Sequence, residues 1–85
     1  MALDLDIRNY YEPLVAEEIL RLQLADASND YRADIMCLAL NQLPAKYIRH
    51  EVDMSFYLPQ SERLDMQMRA REAVERAVRF LDSRS

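Results

Sequence analysis

Few side chains in this sequence are suited to nucleophilic chemistry. The candidate nucleophiles are Cys37, Ser55 and Ser61, and the sole imidazole that could act as their base is His50. Cys37 stands within an apolar run, where burial raises the pKa of a thiol and makes it behave as a small hydrophobic residue. His50 falls on the apolar phase of its segment, which favours a structural histidine over a base or a metal ligand. We therefore expect a protein that is not an enzyme.

Acidic pairs occur at Glu17-Glu18 and at Glu51 and Asp53. A hard cation needs six or more oxygen ligands, and neither pair has further oxygen ligands nearby in the sequence. One histidine and one cysteine are too few soft ligands for a structural zinc ion. We expect solvated acids, no metal and no cofactor.

The use of arginine is strongly skewed. Ten arginines stand against one lysine, seven of the ten lie from Arg49 onward, and the whole chain has a formal net charge of −4. A uniformly basic surface for direct DNA binding is therefore not expected. Guanidinium groups make planar contacts with carboxylate, phosphate or guanine, so local arginine pockets stay open as ligand sites. A solvated helix face explains most of these arginines as well.

The elements that must position these groups begin with a helix. It is predicted from a capping box at Asn9 and Glu12 to about Leu24, with Pro13 tolerated in its first turn. Its apolar face consists of Leu14, Val15, Ile19 and Leu22. The chain contains no glycine, which excludes the glycine-rich loops that bind phosphate.

A second helix is predicted from about Tyr31 to Asn41, capped by Asn29 or Asp30. Its centre, from Ile35 to Leu40, is six consecutive apolar residues. A helix covered on nearly all faces is typical of the centre of a core or of a dimer interface, so we expect Cys37 to be buried.

An extended segment follows the second helix. Apolar and polar residues alternate from Ile48 to Phe56, which suits a strand with one buried face. A single strand cannot satisfy its own backbone, and we expect it to pair with its copy in a second subunit.

The last helix is predicted from a cap at Ser61 to about Leu81. Its apolar face consists of Leu64, Met68, Ala70, Ala73, Val74, Ala77, Val78 and Leu81. Acids stand four residues before arginines in the pairs Asp65/Arg69, Glu72/Arg76 and Glu75/Arg79, each worth a few tenths of a kcal/mol.

Together these elements predict one mainly helical (all-α) domain over residues 1–85. It has three main helices, an extended segment at about 47–57, and frayed tails at 1–8 and 83–85. So short a chain buries only about two-thirds of its surface, and its one cysteine cannot form an internal disulfide. We therefore expect a homodimer.

The first residues lack the pattern of a signal peptide and no apolar run approaches the roughly 20 residues of a membrane span, so we expect a cytoplasmic protein that does not bind membranes.

Two blocks of the sequence resemble a known family. The run Ala39-Leu-Asn-Gln-Leu-Pro-Ala-Lys-Tyr47 is similar to the signature Ala-Leu-Asn-Arg/Lys-Leu-Pro-Pro-x-Tyr of the late competence ComFB family, and Asn9-Tyr-Tyr-Glu-Pro-Leu-Val-Ala-Glu-Glu18 matches that family's N-terminal block Asn-Tyr-x-Glu-x-Leu-Val-x-Glu-Glu. The resemblance covers about residues 9 to 81. It implies a small helical homodimer, and cyanobacterial relatives are receptors for cyclic di-GMP and related cyclic dinucleotides.

The resemblance rests on Arg32, Asp34, Asn41, Leu43, Pro44 and Tyr47. A cyclic dinucleotide offers phosphates and guanine edges to arginine, and purine faces that stack on tyrosine. The predicted ligand-binding residues are Arg32, Asp34, Asn41, Tyr47 and Arg49. For three signature residues a structural role is also open, because Asn41 can cap the helix, Pro44 can end it and Tyr47 can fill the core.

Two departures from the signature bear on ligand binding. Gln42 stands where relatives often have Arg or Lys, and Ala45 replaces a second proline, so one phosphate contact is missing and the turn is looser. The Bacillus-type members carry cysteines before the second helix that suggest zinc, whereas residues 24–30 here contain none.

Two functions follow as expectations. The first is a signalling receptor that binds a cyclic dinucleotide and acts through a protein partner, with arginines and tyrosines converging on one cleft. The second is a ligand-free dimeric adaptor linked to competence or pilus regulation, with arginines occupied by acids of the same chain.

Overall fold

Three helices and a short antiparallel ribbon make up the fold. The computed structural model describes residues 7–22, 28–49 and 58–84. Strand β1 is Arg8–Asn9, helix α1 Tyr11–Arg21, helix α2 Asn29–Asn41, strand β2 Tyr47–Ile48 and helix α3 Gln60–Asp82. The mainly helical class is confirmed. Within the described ranges no helix has both the length and the hydropathy that a membrane span needs.

The three helices pack against one another around one core. Helices α2 and α3 run antiparallel, since the Tyr31 hydroxyl donates to Asp82 Oδ1 at one end (3.1 Å) and Gln42 reaches the Ala73 carbonyl at the other. The buried hydrophobic residues of the helices are Tyr11, Leu14, Val15, Ile19, Ile35, Ala39, Met66, Ala70, Ala73, Val74 and Ala77. The apolar faces predicted for α1 and for the centre of α3 therefore form the core.

The N-terminal half of α3 turns a different face inward from the one predicted. Leu64 and Met68, predicted to be buried, are 52% and 51% exposed, whereas Met66 is buried. Met66 lies four residues before Ala70 and so continues the stripe of Ala70, Ala73, Val74 and Ala77, which a residue at 64 or 68 does not.

The caps of the helices differ from those predicted. Tyr10, with no side-chain bond, occupies the cap position of α1, so the capping box at Asn9 and Glu12 is wrong. Ser28 caps α2, its Oγ accepting the Tyr31 amide at 3.1 Å, in place of Asn29 or Asp30. Both of those residues are helical.

Pro59, and not Ser61, precedes the first residue of α3 and occupies its cap position, where its carbonyl accepts the amides of Glu62 and Arg63. No side chain caps this helix. The C-terminal ends of α1 and α3 are Arg21 and Asp82; the end predicted for α1, Leu24, lies outside the described residues.

The two short strands join the start of α1 to the connector after α2. Arg8 pairs with Ile48 and Asn9 with Tyr47 in antiparallel register. The described part of the extended segment therefore pairs with a strand of its own chain, and Arg8 belongs to a strand instead of a frayed tail. Residues 50–57, which carry the rest of the predicted strand, lie outside the described residues.

Candidate functional site

The five predicted ligand residues fall into two groups at opposite ends of α2. Arg32 and Asp34 lie in its first half, whereas Asn41 is its last residue and Tyr47 and Arg49 follow it. Nine residues of helix separate Arg32 from Asn41, a rise of about 14 Å. A single chain therefore does not bring the five residues together.

The second group includes an exposed aromatic ring beside a cation. Tyr47 is 68% exposed, Ile48 is buried, and Arg49 is exposed. Because successive side chains of an extended segment point to opposite sides, the buried Ile48 leaves Tyr47 and Arg49 on the outward side. Tyr47 does not fill the core, so that alternative is wrong.

Backbone contacts hold this outward side in place. Asn9 Oδ1 accepts both the Tyr11 amide (3.2 Å) and the Lys46 amide (3.0 Å), and the Tyr10 amide donates to the Lys46 carbonyl at 2.7 Å. Asn9 thus connects the start of α1 to the residue before Tyr47 instead of capping the helix. A residue of the N-terminal family block positions a residue of the signature in this way.

Three exposed cations lie in or next to the ribbon, although the chain is acidic overall, and of these Arg49 shares the outward side of Tyr47. They are Arg8 in β1, Lys46 just before β2 and Arg49 just after it. We call Arg8, Lys46, Tyr47 and Arg49 the ribbon surface. Positive groups beside an exposed ring suit an anionic ligand with an aromatic face. Neither Arg8 nor Lys46 is singled out by a motif of the sequence, because the register Arg8↔Ile48 is a long-range pairing that no local pattern indicates.

A pocket of about 230 Å³ lies next to the ribbon surface. It is lined by Tyr11, Pro44, Ala45, Lys46, Leu58, Glu62, Asp65, Met66 and Arg69. Its volume is below the roughly 300–1,000 Å³ that is typical of small-molecule sites, so in one chain it holds at most part of a nucleotide.

Tyr11 lines this pocket and has a perturbed hydroxyl. Burial raises the pKa of Tyr11 above its ordinary value, and the Asp65 carboxylate raises it further. The Arg69 guanidinium, which hydrogen-bonds to the Tyr11 hydroxyl, opposes the rise. Arg69 also forms an ion pair with Asp65 at 3.0 Å, as the sequence predicted. The hydroxyl is therefore a neutral hydrogen-bonding group near pH 7 and not a base.

Gln42, the residue that follows the end of α2, has a structural role. Gln42 Nε2 donates to the carbonyls of Leu38 (3.2 Å) and Ala73 (3.3 Å), and Gln42 Oε1 accepts from Arg76 Nε at 2.7 Å. The departure at position 42 is thus a side chain that ties α2 to α3. It also gives Arg76 a partner other than the predicted Glu72.

Arg32 and Asp34 line different grooves on the two sides of α2. Arg32 borders a groove of about 300 Å³ between α1 and α2 whose other lining residues are Ala16, Ile19, Leu20, Ala33 and Met36. Its Nη2 donates to Asn29 Oδ1. Asp34 lies in a second groove of about 300 Å³, between α2 and α3, with Cys37, Leu38, Phe80, Leu81 and Arg84.

Cys37 is exposed on α2, so its predicted burial is wrong for the single chain. Six apolar residues in a row cannot all face inward, and α2 buries Ile35 and Ala39. Among the described residues, no group of three or more His, Cys, Asp and Glu side chains is arranged to hold a metal ion. His50 lies outside the described residues.

Comparison with protein families shows to which family this chain belongs. The family model described as late competence development protein ComFB matches residues 8–85. The chain belongs to the ComFB family. The match includes every described residue of the ribbon surface and of both grooves, and the resemblance seen in the signature is confirmed. No curated protein and no solved structure gives a significant match to the chain.

The two sequence blocks typical of the ComFB family lie next to each other in the structure. The N-terminal block supplies Asn9 and Tyr11, the signature supplies Gln42 to Tyr47, and the two blocks contact each other through the ribbon and the pocket beside it. The two stretches that match the family's sequence blocks are therefore one structural unit.

Proposed function

We propose that this protein is a small regulatory receptor that binds a cyclic dinucleotide and passes the signal to a protein partner. The observation that carries the proposal is the exposed Tyr47 ring on the same outward side as Arg49. Tyr47 stands at a family signature position and is 68% exposed, so its ring does not pack in the core and can stack on a ligand.

The chemistry of the ribbon surface suits this ligand class. A purine face stacks on a tyrosine ring, and guanidinium and ammonium groups contact phosphate oxygens and guanine edges. Arg49 supplies such a group on the side of Tyr47, and Lys46 and Arg8 are further exposed cations of the ribbon. Cyclic di-GMP is the first candidate, because its guanine edges present acceptors to arginine, and cyclic di-AMP is the second.

The proposal describes a binding protein without catalytic activity that acts as a homodimer in the cytoplasm. Arg32, Asp34 and Asn41 belong to the proposed ligand site only if a second subunit brings the two ends of α2 together. The pocket beside Tyr47 is too small to enclose a whole dinucleotide, which supports an open, shared site.

Isothermal titration with cyclic di-GMP and then cyclic di-AMP tests the proposal. We expect micromolar or tighter binding, and a loss of about 10-fold or more in Tyr47→Ala, because one stacked base contributes about 1–3 kcal/mol. Arg49→Ala should weaken binding similarly. Arg79→Ala, an exposed arginine in the last turn of α3, is the matched control and should bind like the unchanged protein. No heat with either nucleotide would contradict the receptor function.

A second candidate, the ligand-free dimeric adaptor, is favoured by how several arginines are used. Glu18 pairs with both Arg21 (2.6 Å) and Arg71 (3.6 Å), and Asp65 pairs with Arg69. These guanidinium groups are occupied within the chain, as an adaptor would have them. The titration separates the two functions, since an adaptor binds neither nucleotide.

A further inference from the structure

A second small pocket lies against the first two turns of α3. Its volume is about 220 Å³, and its lining residues are Tyr10, Gln60, Arg63, Leu64 and Gln67. The guanidinium, the two carboxamides and the phenol hydroxyl of this set can all donate hydrogen bonds. Among the residues that the structure describes, no acid lines the pocket. It is therefore a positive pocket in a chain that is acidic overall.

The nearest acids of α3 belong to a different face of the helix. Glu62 and Asp65 line the pocket that Tyr11 borders, and Asp65 pairs there with Arg69 at 3.0 Å. Positions 62, 65 and 69 follow one face of a helix, and positions 60, 63 and 67 follow another, about half a turn away. The helix thus separates its first acids from Arg63.

Arg63 is the arginine of α3 without an acid in reach along its own helix. The other four arginines of α3 each have an Asp or Glu four residues before or after them. The residues three and four positions from Arg63 are Pro59, Gln60, Met66 and Gln67.

The rest of its surroundings leave Arg63 unpaired as well. Arg63 is half-buried, and its Nε is buried without a hydrogen-bond partner in the part of the chain that the structure describes. A cation in the first turn of a helix is also opposed by the helix dipole. Because buried polar groups are normally hydrogen-bonded, an unpaired guanidinium at a pocket is suited to bind an anion.

We propose that this pocket binds a phosphate group, with the Arg63 guanidinium as its main contact. Phosphate oxygens point in several directions, which suits donors on Tyr10 at one side and on Gln60 and Gln67 at the other. The Tyr10 ring adds a surface on which the base of a phosphate ester such as a nucleotide stacks. The site goes beyond the proposed function, because it shares no residue with the ribbon surface.

Contacts of the chain fix two walls of the pocket before a ligand binds. Tyr10 occupies the cap position of α1, and its amide donates to the Lys46 carbonyl at 2.7 Å. The Arg63 amide donates to the Pro59 carbonyl at 3.1 Å, and burial of Nε restricts the arginine side chain. Less conformational freedom is therefore lost when a phosphate binds.

Nuclear magnetic resonance of the arginine Nε–H groups tests the site, with inorganic phosphate as the probe. We expect the Arg63 signal to shift saturably, with a dissociation constant of about 1 mM. Arg63→Gln should abolish phosphate binding. Arg79→Gln is the matched control, because Arg79 has Glu75 four residues before it, and it should bind phosphate like the unchanged protein.

A second pair of variants keeps Arg63 and changes only the charge beside it. Gln60→Glu places an acid three residues before Arg63, in a turn where the helix dipole favours acids, so this variant should fold. Its carboxylate occupies the guanidinium, and we expect phosphate to bind about 10-fold more weakly or not at all. Ser61→Glu adds the same charge at a residue that does not line the pocket, and binding should weaken by less than about threefold.

Guanosine 5′-monophosphate in the same titration distinguishes the two sources of the phosphate group. Binding about 10-fold tighter than that of inorganic phosphate would support a nucleotide, since a stacked base contributes about 1–3 kcal/mol. Equal affinity would support free phosphate at the same site.

Three results would overturn the phosphate site. The first is no saturable shift of the Arg63 signal up to about 20 mM phosphate. The second is an equal loss of binding in Gln60→Glu and Ser61→Glu, which would show that net charge alone matters. The third is a shift caused by cyclic di-GMP and not by phosphate, which would assign the pocket to the dinucleotide. A failure of cyclic di-GMP to bind contradicts only the receptor function, because the phosphate titration does not use that ligand.

Discussion

Gln42 is one of the two residues at which this chain departs from the family signature, and its side chain connects two helices. It offers both a donor, used by the Leu38 and Ala73 carbonyls, and an acceptor, used by Arg76. A lysine or arginine at this position has no acceptor for Arg76. The departure is therefore coupled to Arg76, and the position serves α2–α3 packing in this chain instead of contacting a phosphate.

We predict that Gln42→Ala lowers the free energy of unfolding by about 1–2 kcal/mol. Each hydrogen bond contributes about 0.5–1.5 kcal/mol, and the partly exposed site lets water replace some of it. Urea denaturation followed by circular dichroism measures the change. Gln67→Ala, an exposed glutamine of α3, is the control and should change stability by less than about 0.5 kcal/mol. Equal effects at both positions would mean that the Gln42 contacts add nothing.

Single residues were the hardest feature to predict from the sequence. Asn9 has the side chain of a helix cap, but it precedes the cap position by one residue and uses its oxygen to join Tyr11 to Lys46. The contact spans 37 residues of sequence, and no local pattern contains it. Tyr47 was a candidate for both the core and a ligand site, and only the burial of its neighbour Ile48 shows which way it points.

At the scale of elements, the helices could be predicted and their caps could not. The apolar periodicity of α1 and α3 extends over several turns, so it places these helices despite local ambiguity. A cap depends on one or two backbone angles, and Ser, Asn and Asp lie side by side in residues 28–30. The structure selects Ser28, whose extended backbone lets Oγ reach the Tyr31 amide.

We predict that Ser28→Ala lowers the free energy of unfolding by about 1 kcal/mol, the usual cost of losing a serine cap. Ser61→Ala is the matched control, because Ser61 lies in the first turn of α3 without a capping bond, and it should change stability by less than about 0.5 kcal/mol. Chemical denaturation of both variants measures the difference. A larger loss for Ser61→Ala would contradict the assignment of the caps.

At the scale of the whole molecule, several apolar residues of the described ranges are not buried by those ranges. The run Ile35 to Leu40 predicted a helix covered on nearly all faces, yet Cys37 is exposed and Met36 is half-covered. The sequence indicates how much apolar surface must be covered, but not whether its own chain or a second copy covers it. The proposed dimer accounts for the remaining face with the same residues that predicted a buried helix.

A dimer whose stability depends on association should melt at a temperature that rises with protein concentration. We predict that each tenfold dilution lowers the melting temperature by roughly 3–5 °C, since tenfold in concentration corresponds to about 1.4 kcal/mol per dimer. Phe80→Ser removes an exposed ring from the groove between α2 and α3 and should reduce this dependence. Tyr47→Ser removes a more exposed ring from the ribbon surface and should preserve it, because that ring lies outside the grooves that flank α2. Differential scanning fluorimetry over a hundredfold range of protein concentration, starting in the low micromolar range, would measure the melting temperatures of the unchanged protein and of both variants. A melting temperature that stays constant across this range would show that each chain folds alone, and the bare face of α2 would then belong to another protein.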